Sequence, residues 1–387
     1  MARCSRMYPA LLVSLVLSGC SSLDALNPFS GGSKPKMAEL AAFEERVVLR
    51  SLWRYDIGKA GDAVFYPAIV KGAVFVAAAD GSLARLEDGA EKWRIKTGKP
   101  LSAGVSSDGE RVIVGTWQGD VLAYAARDGA FLWAARVSSE VLAPPLIEAG
   151  MVIVKSGDHR IEALDLEGRR KWFYQRPSPP LSLRDTSPLV FAEQFILTGF
   201  PGGKLLALSV QNGAPVWEGT VAVPRGATEL ERVADIVSPP TLSGTTGCAV
   251  AYQGRLTCFD FSRSGQPLWY KDVSSSVGLM TDGNNVYVTD DEDAVSAFTL
   301  ASGSSHWKTR AFFLRGMTAP LVTGQGYLAL GDKEGYVHLL SSADGSSAGR
   351  IRVENSPILI MPQRLSGNRL LIQTRSGRVE ALAIEPR

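Results

Sequence analysis

Residues 238–269 read SPPTLSGTTGCAVAYQGRLTCFDFSRSGQPLW, and this stretch decides the fold because versions of it recur along almost the whole chain. Prolines open the stretch, and an apolar strand, a glycine turn, a second strand, another glycine turn and a closing tryptophan follow. Asp-Gly and Asn-Gly turns in the other copies accept the positive φ that tight hairpins need. Each copy therefore predicts about four short strands in about 40 residues.

Most copies end in a tryptophan, and the departures from this rule are informative. Ile351 occupies the equivalent stretch of the seventh copy, and the eighth copy stops at the chain end without a fourth strand. Trp53, ahead of the first copy, belongs to a segment that can supply that strand. The pattern predicts an all-β fold, an eight-bladed β-propeller of four-stranded antiparallel blades closed by the N-terminal strand, because closure removes open sheet edges. Flat tryptophans would pack between neighbouring sheets. The closing tryptophans are Trp93, Trp133, Trp172, Trp217, Trp269 and Trp307.

The first 20 residues have the pattern of a targeting segment. Arg3 and Arg6 precede a short apolar run, and Leu-Ser-Gly leads into Cys20. This end looks like a bacterial lipoprotein lipobox, in which Cys20 carries the lipid; an ordinary signal peptide that happens to contain a cysteine is the alternative. The resemblance implies a signal peptide at 1–19, a lipidated cysteine and flexible tether at 20–45, and the propeller at 46–387. It further implies a lipid anchor in the outer membrane, on the periplasmic face.

Net charge argues against nucleic-acid binding. Removal of Arg3 and Arg6 leaves 39 of the 41 basic residues, which equals the 39 acidic residues. The chain also offers no metal-ligand cluster, since only two cysteines remain beyond the targeting segment and the lipobox, and the three histidines are scattered. Cys248 and Cys258 flank a glycine turn and could lie side by side on adjacent strands. A cross-strand disulfide and two buried thiols both fit this spacing.

The repeat is clearest at residues 160–172, RIEALDLEGRRKW, and resembles the PQQ-like propeller repeat. Quinoprotein dehydrogenases and the BamB family of outer-membrane assembly lipoproteins both carry that repeat. The lipobox and the eight copies at this length favour the BamB family. This resemblance implies a non-enzymatic scaffold, without a cofactor, that binds the POTRA domains of BamA in the BAM complex and assists outer-membrane protein assembly. Unfolded outer-membrane proteins could add to exposed strand edges by β-augmentation.

Two connections between copies are longer than the others: the first link, residues 173–187, and the second link, residues 218–237. They follow consecutive blades, so their tips should be neighbours on one face, where binding residues tend to lie. The string Leu181-Ser-Leu-Arg184 resembles the motif with which BamB proteins contact BamA. By that resemblance Leu181 and Leu183 bury apolar surface on BamA, and Arg184 makes a charge-assisted hydrogen bond.

The second link matches the family less completely. Asp235 fits the first position of the family's Asp-x-Asp contact, and Val237 departs from the second. Variable loop length without any role is the alternative for both links.

The repeat is also compatible with two other functions. A PQQ- and Ca²⁺-dependent dehydrogenase needs carboxylates on the ring axis, and the acidic run 290–293 is the candidate, but its place in a hairpin turn favours a solvated loop. The adjacent cysteine pair of many such enzymes is absent. A periplasmic ligand-binding propeller would need an exposed aromatic cluster on the axis, for which Trp117, Phe200 and Phe312 are the candidates.

Overall fold

The computed structural model describes residues 35–177 and 179–387, and the propeller belongs to a compact unit, Met37–Arg387. The predicted signal peptide, the lipidated Cys20 and most of the predicted tether lie outside the described residues. In the described part of the chain, no helix is long and apolar enough to cross a membrane.

The described residues form eight four-stranded antiparallel sheets, as the repeats predict. Blade 1 is built from the second to fifth strands, and blades 2 to 7 each take the next four. A short 3-10 helix, Phe261–Arg263, precedes the last strand of blade 5. The strands are β1 (Val47–Asp56), β2 (Ala68–Val70), β3 (Ala73–Ala77), β4 (Ser82–Glu87), β5 (Ala90–Lys96), β6 (Leu101–Ser107), β7 (Arg111–Thr116), β8 (Asp120–Ala125), β9 (Phe131–Arg136), β10 (Leu146–Glu148), β11 (Met151–Lys155), β12 (Ile161–Asp165), β13 (Arg170–Tyr174), β14 (Val190–Ala192), β15 (Phe195–Phe200), β16 (Lys204–Ser209), β17 (Pro215–Thr220), β18 (Thr241–Ser243), β19 (Thr246–Val250), β20 (Leu256–Asp260), β21 (Gln266–Lys271), β22 (Gly278–Thr281), β23 (Asn285–Thr289), β24 (Val295–Thr299), β25 (Ser305–Thr309), β26 (Leu321–Val322), β27 (Tyr327–Gly331), β28 (Tyr336–Ser341), β29 (Ser347–Arg352), β30 (Gln363–Ser366), β31 (Arg369–Gln373) and β32 (Arg378–Pro386).

The two ends of the chain close the ring, which confirms the role predicted for the N-terminal strand. Blade 8 has the order β30, β31, β32, β1. Strand β1 pairs with β32 from Val47 opposite Pro386 to Asp56 opposite Arg378. The middle strands of the blades are almost fully buried, so the core lies between adjacent sheets.

The closing tryptophans join each blade to the next. Trp269 in blade 5 donates its indole N–H to the Leu300 carbonyl of blade 6 at 2.7 Å. Its ring also covers Gly303 in the last hairpin turn of blade 6. Gly303 has φ +71°, and a Cβ added there would lie 2.7 Å from the indole. Glycine is therefore required both by the backbone conformation and by the close approach of the ring.

The missing tryptophan of blade 7 has a structural reason. The structure places Gly349, rather than Ile351, at the closing position, opposite Leu339 and just before the register shift. A tryptophan at this position would need the last hairpin turn of blade 8 to pack on, but in the described residues the fourth strand of blade 8 is β1, from the other end of the chain. The Val47 carbonyl of β1 lies there instead, 2.7 Å from where a Cβ on Gly349 would be. Residues 38–46 lie against this part of the ring. The Ala38 amide donates to the Phe313 carbonyl at 2.9 Å, the Arg46 amide donates to the Ala348 carbonyl at 2.8 Å, and the Arg350 guanidinium stacks on Phe43.

Candidate functional site

The first link crosses the hairpin turns of neighbouring blades and is held at several points. The Ser182 hydroxyl lies 3.0 Å from Nε2 of His159, in the β11–β12 turn of blade 3. The Leu183 amide donates to Oδ2 of Asp235, in the second link, at 2.7 Å. The Arg184 guanidinium stacks 5.0 Å from the ring centre of Trp117, in the β7–β8 turn of blade 2.

A buried ion pair anchors the end of this link. Lys155, the last residue of β11, pairs with Asp185, and the two residues are only 3% and 8% exposed. The ammonium also donates to the Gly199 carbonyl at 2.8 Å, and Asp185 accepts the Ser187 amide at 2.8 Å. A buried pair with its remaining hydrogen bonds satisfied fixes geometry, since removal of one partner leaves an uncompensated charge.

Burial controls the protonation of two groups beside this ion pair. Desolvation, with a smaller contribution from the Lys155 charge, lowers the pKa of His159. Desolvation and the Asp185 carboxylate raise the pKa of Tyr66. A neutral imidazole and a neutral phenol therefore surround the pair at neutral pH, and neither adds a charge to this face.

The structure gives Asp235 a supporting role within the chain. Its side chain is 1% exposed, and its carboxylate accepts the Leu183 amide at 2.7 Å and the Gly202 amide at 3.1 Å. A carboxylate so enclosed could reach another chain only by breaking both hydrogen bonds. Asp235 instead connects the second link to the Leu181–Arg184 loop and to the β15–β16 turn of blade 4. Val237, which departs from the family pattern, lines the cavity on the ring axis.

Apolar and cationic side chains of the loop face solvent. Leu181 is 45% exposed, Arg184 is exposed and Leu183 is half-buried. Across the described residues, the Arg184 guanidinium has no hydrogen-bond or ion-pair acceptor, so its N–H groups are free to donate. The loop thus presents an apolar side chain beside an unpaired cation on a fixed backbone.

The second link presents another exposed leucine on a rigid turn. Thr228 and Glu231 form a reciprocal cap, in which the Glu231 carboxylate accepts the Thr228 amide at 3.0 Å and the Thr228 hydroxyl accepts the Glu231 amide at 3.3 Å. These backbone hydrogen bonds lower the pKa of Glu231. Leu230 within this turn is 70% exposed.

Sequence reasoning missed the residues that support the loop. Lys155 is a charged residue at the end of an apolar strand, a position that suggests a buried partner. His159, one of the scattered histidines, is a buried neighbour of Ser182. The sequence marks Trp117 only as a candidate ligand-binding aromatic residue. The feature that could have singled it out is its place outside the closing-tryptophan position of the repeat.

The acidic run and the candidate aromatic residues are not arranged as a dehydrogenase or a ligand-binding propeller would need. In the acidic run, Asp291 and Glu292 are exposed, whereas Asp293 is 9% exposed and accepts the Gly316 and Met317 amides at 2.8 and 2.7 Å. Burial raises the pKa of Asp293. Phe200 and Phe312 are buried rather than exposed on the axis. The axial cavity, about 300 Å³, has a mostly apolar lining, and no group of three His, Cys, Asp or Glu side chains in the described ranges could hold a metal ion.

Cys248 and Cys258 face each other in blade 5. They are register partners on β19 and β20, with Cα atoms 4.1 Å apart, and their sulfurs are joined in a disulfide. Both side chains are fully buried between blades 5 and 6.

Known proteins resemble this chain in sequence and in fold. The family model for the outer membrane protein assembly factor BamB matches residues 79–309. The chain is 40% identical to the outer membrane protein assembly factor BamB of Bordetella pertussis, over 97% of this chain and 98% of that protein. The crystal structure of BamB from Moraxella catarrhalis superposes with a TM-score of 0.81 at 26% identity, covering 87% of this chain and 99% of that chain.

A europium-containing methanol dehydrogenase shares the fold alone. It superposes with a TM-score of 0.70 over 87% of this chain and 93% of that chain, but at only 13% identity. The curated relatives are assembly factors, which is not an enzymatic role. The chain therefore belongs to the BamB family of outer membrane protein assembly factors.

Proposed function

We propose that the Leu181–Arg184 loop binds the POTRA domains of BamA, and that the chain works through this contact as a scaffold of the BAM complex. Membership of the BamB family makes the chain an outer membrane protein assembly factor rather than an enzyme. The POTRA contact is what the family resemblance of the loop sequence implies. The geometry of the Leu181–Arg184 loop supports this contact.

The observation that carries the proposal is the fixed backbone of this loop. Hydrogen bonds from Ser182 and Leu183, with the Asp185 ion pair, hold the segment while Leu181 and Arg184 remain exposed. A loop ordered before binding loses less conformational entropy when the complex forms. An apolar residue next to an unpaired arginine also fits the composition of energetically important interface positions.

We further propose that Cys20 carries a lipid and holds the chain at the periplasmic face of the outer membrane, after removal of residues 1–19. Metabolic labelling with a palmitate analogue should mark the unaltered protein and spare Cys20→Ser. Labelling of both proteins would remove Cys20 as the attachment site.

The POTRA contact is tested by co-purification from membranes. We expect Leu183→Ala with Arg184→Ala to abolish co-purification of BamA while leaving the fold intact, because the loop loses apolar area and its exposed cation together. The matched control is Leu132→Ala with Arg127→Ala, which removes the same residue types from the exposed outer region of blade 2. Undiminished co-purification by the loop variant, or equal loss by the control, contradicts the assignment.

A contact with unfolded outer-membrane proteins is the second proposal. The outer strands of several blades expose aromatic side chains beside a free strand edge, with Phe131 at 60%, Tyr270 at 55% and Phe173 at 54%. An extended apolar segment could pair with such an edge. Photo-crosslinkers at these three positions should capture a nascent outer-membrane protein, and capture that is no greater than at the buried Trp172 would count against the edge.

A further inference from the structure

Trp117 is the one tryptophan that the repeat does not explain. The other seven of the eight tryptophans occupy the closing position of a copy or the equivalent position in β1. Trp117 lies instead in the β7–β8 turn, half-buried against the core cluster of blades 1 and 2. A large aromatic residue is not required by this turn, since the corresponding turns of blades 1 and 7 have Ala79 and Lys333.

The partner of Trp117 comes from a different part of the chain. The Arg184 guanidinium lies 5.0 Å from the centre of the indole ring. This contact crosses blade 3, because Trp117 belongs to blade 2 and Arg184 to the link that enters blade 4. Packing on the core holds the indole, so the ring forms a firm support for a side chain that is otherwise exposed.

Stacking on Trp117 leaves the hydrogen-bond donors of Arg184 available. A guanidinium binds an aromatic ring through its flat face and donates hydrogen bonds from its edge. Among the described residues no acceptor occupies that edge. The indole therefore restricts the rotamers of a long side chain, whose immobilisation on binding would otherwise cost conformational entropy, without consuming its donors.

We propose that Trp117 is a positioning residue for the Leu181–Arg184 loop, which holds the Arg184 guanidinium in place for a carboxylate of the partner. The inference rests on the proposed POTRA contact and adds a residue of blade 2 to it. Trp117 acts through Arg184 and not by touching the partner itself.

Binding to the purified periplasmic region of BamA tests this role in a double-mutant cycle. Trp117→Leu keeps apolar bulk and removes the aromatic face, so affinity should fall about two- to fivefold, the range expected for an exposed cation–π contact. Trp117→Phe should restore most of the affinity. In an Arg184→Gln background, Trp117→Leu should have no further effect, because the group that it positions is gone.

Two results would overturn the inference: unchanged affinity of Trp117→Leu, or a loss that adds fully to that of Arg184→Gln, which would place Trp117 in direct contact with BamA.

A second measurement needs no partner. In the isolated protein, the ring current of Trp117 should shift the Arg184 side-chain proton signals upfield in NMR spectra, and the shift should vanish in Trp117→Leu. Absence of this shift in the unaltered protein refutes the stacking. Failure of the unaltered protein to bind BamA, with the shift present, refutes the proposed function instead.

Discussion

Replacement of Asp235 by alanine separates support of the loop from contact with a partner, because the fold contains a matched control. Asp235 accepts two backbone amides, from Leu183 and Gly202. Asp293 does the same in another part of the ring, where it accepts the amides of Gly316 and Met317. Both carboxylates are buried, at 1% and 9% exposure. Asp235 joins the second link to two separate segments, whereas Asp293 joins its hairpin turn to one segment, Gly316 and Met317.

The two substitutions should have similar effects on stability. A hydrogen bond to a charged acceptor contributes about 1.5–3 kcal/mol, and a deprived amide that water can reach recovers part of this. Leu183, Gly202 and Gly316 are only partly buried or exposed, which permits such solvation. We therefore expect Asp235→Ala and Asp293→Ala each to lower the free energy of unfolding by about 2–4 kcal/mol, as measured by urea denaturation.

Their effects on binding should differ. Loss of the Asp235 hydrogen bond frees the backbone of the loop, and re-ordering of one or two residues on binding costs about 1–2 kcal/mol each. Affinity for the periplasmic region of BamA should then fall about 10- to 100-fold in Asp235→Ala, with faster hydrogen exchange of the Leu183 amide. Asp293→Ala should bind like the unaltered protein. Unchanged affinity of Asp235→Ala despite its destabilisation, or equal loss in Asp293→Ala, would refute the supporting role.

Three further predictions concern the scaffold. Gly303→Ala should destabilise the fold by about 2–4 kcal/mol, since it adds a clash with the tryptophan of the preceding blade to the backbone strain. Gly150→Ala, at a similar φ of +74° but with nothing within 4 Å, should cost only about 1–2 kcal/mol. Equal losses of stability in thermal denaturation would contradict the role of the tryptophan in sealing the blades. The Cys248–Cys258 disulfide closes a loop of about ten residues, so its reduction should lower the free energy of unfolding by about 2–3 kcal/mol. Free thiols in protein taken from the periplasm would argue against formation of the disulfide. Burial lowers the pKa of His338, so below about pH 6.5 the unfolded chain binds more protons than the folded chain. The free energy of unfolding should therefore fall as the pH drops from 7.5 to 5.5, and His338→Gln should make that fall shallower. An unchanged pH dependence in His338→Gln would contradict this.

The ring could be predicted because its information is local and repeated. Alternating apolar residues, glycine turns and a closing tryptophan each report on a few neighbouring positions, and eight copies reinforce the same interpretation. Even the leftover Trp53 pointed to closure of the ring. The absence of a tryptophan from the seventh copy is visible in the sequence, but its cause is not, since it depends on β1 replacing a hairpin turn in blade 8.

The sequence indicates a candidate segment but not how that segment is held. Link length and the Leu181–Arg184 string single it out, because an insertion or a family motif is a property of consecutive residues. The supports of that segment come from positions far apart in the chain: Asp235 follows Leu183 by 52 residues, Lys155 precedes Asp185 by 30, and Trp117 lies in another blade.

The same carboxylate can bind a partner or hold a loop, and only its surroundings decide. An acidic residue in a long surface link suggests contact with another protein, yet the Asp235 carboxylate is turned inward and accepts two backbone amides. The sequence by itself determined the eight-bladed ring and the segment that faces outward. The tertiary structure decided which side chains of that segment are free to bind and which ones hold it still, because burial and hydrogen bonding arise only when distant residues meet.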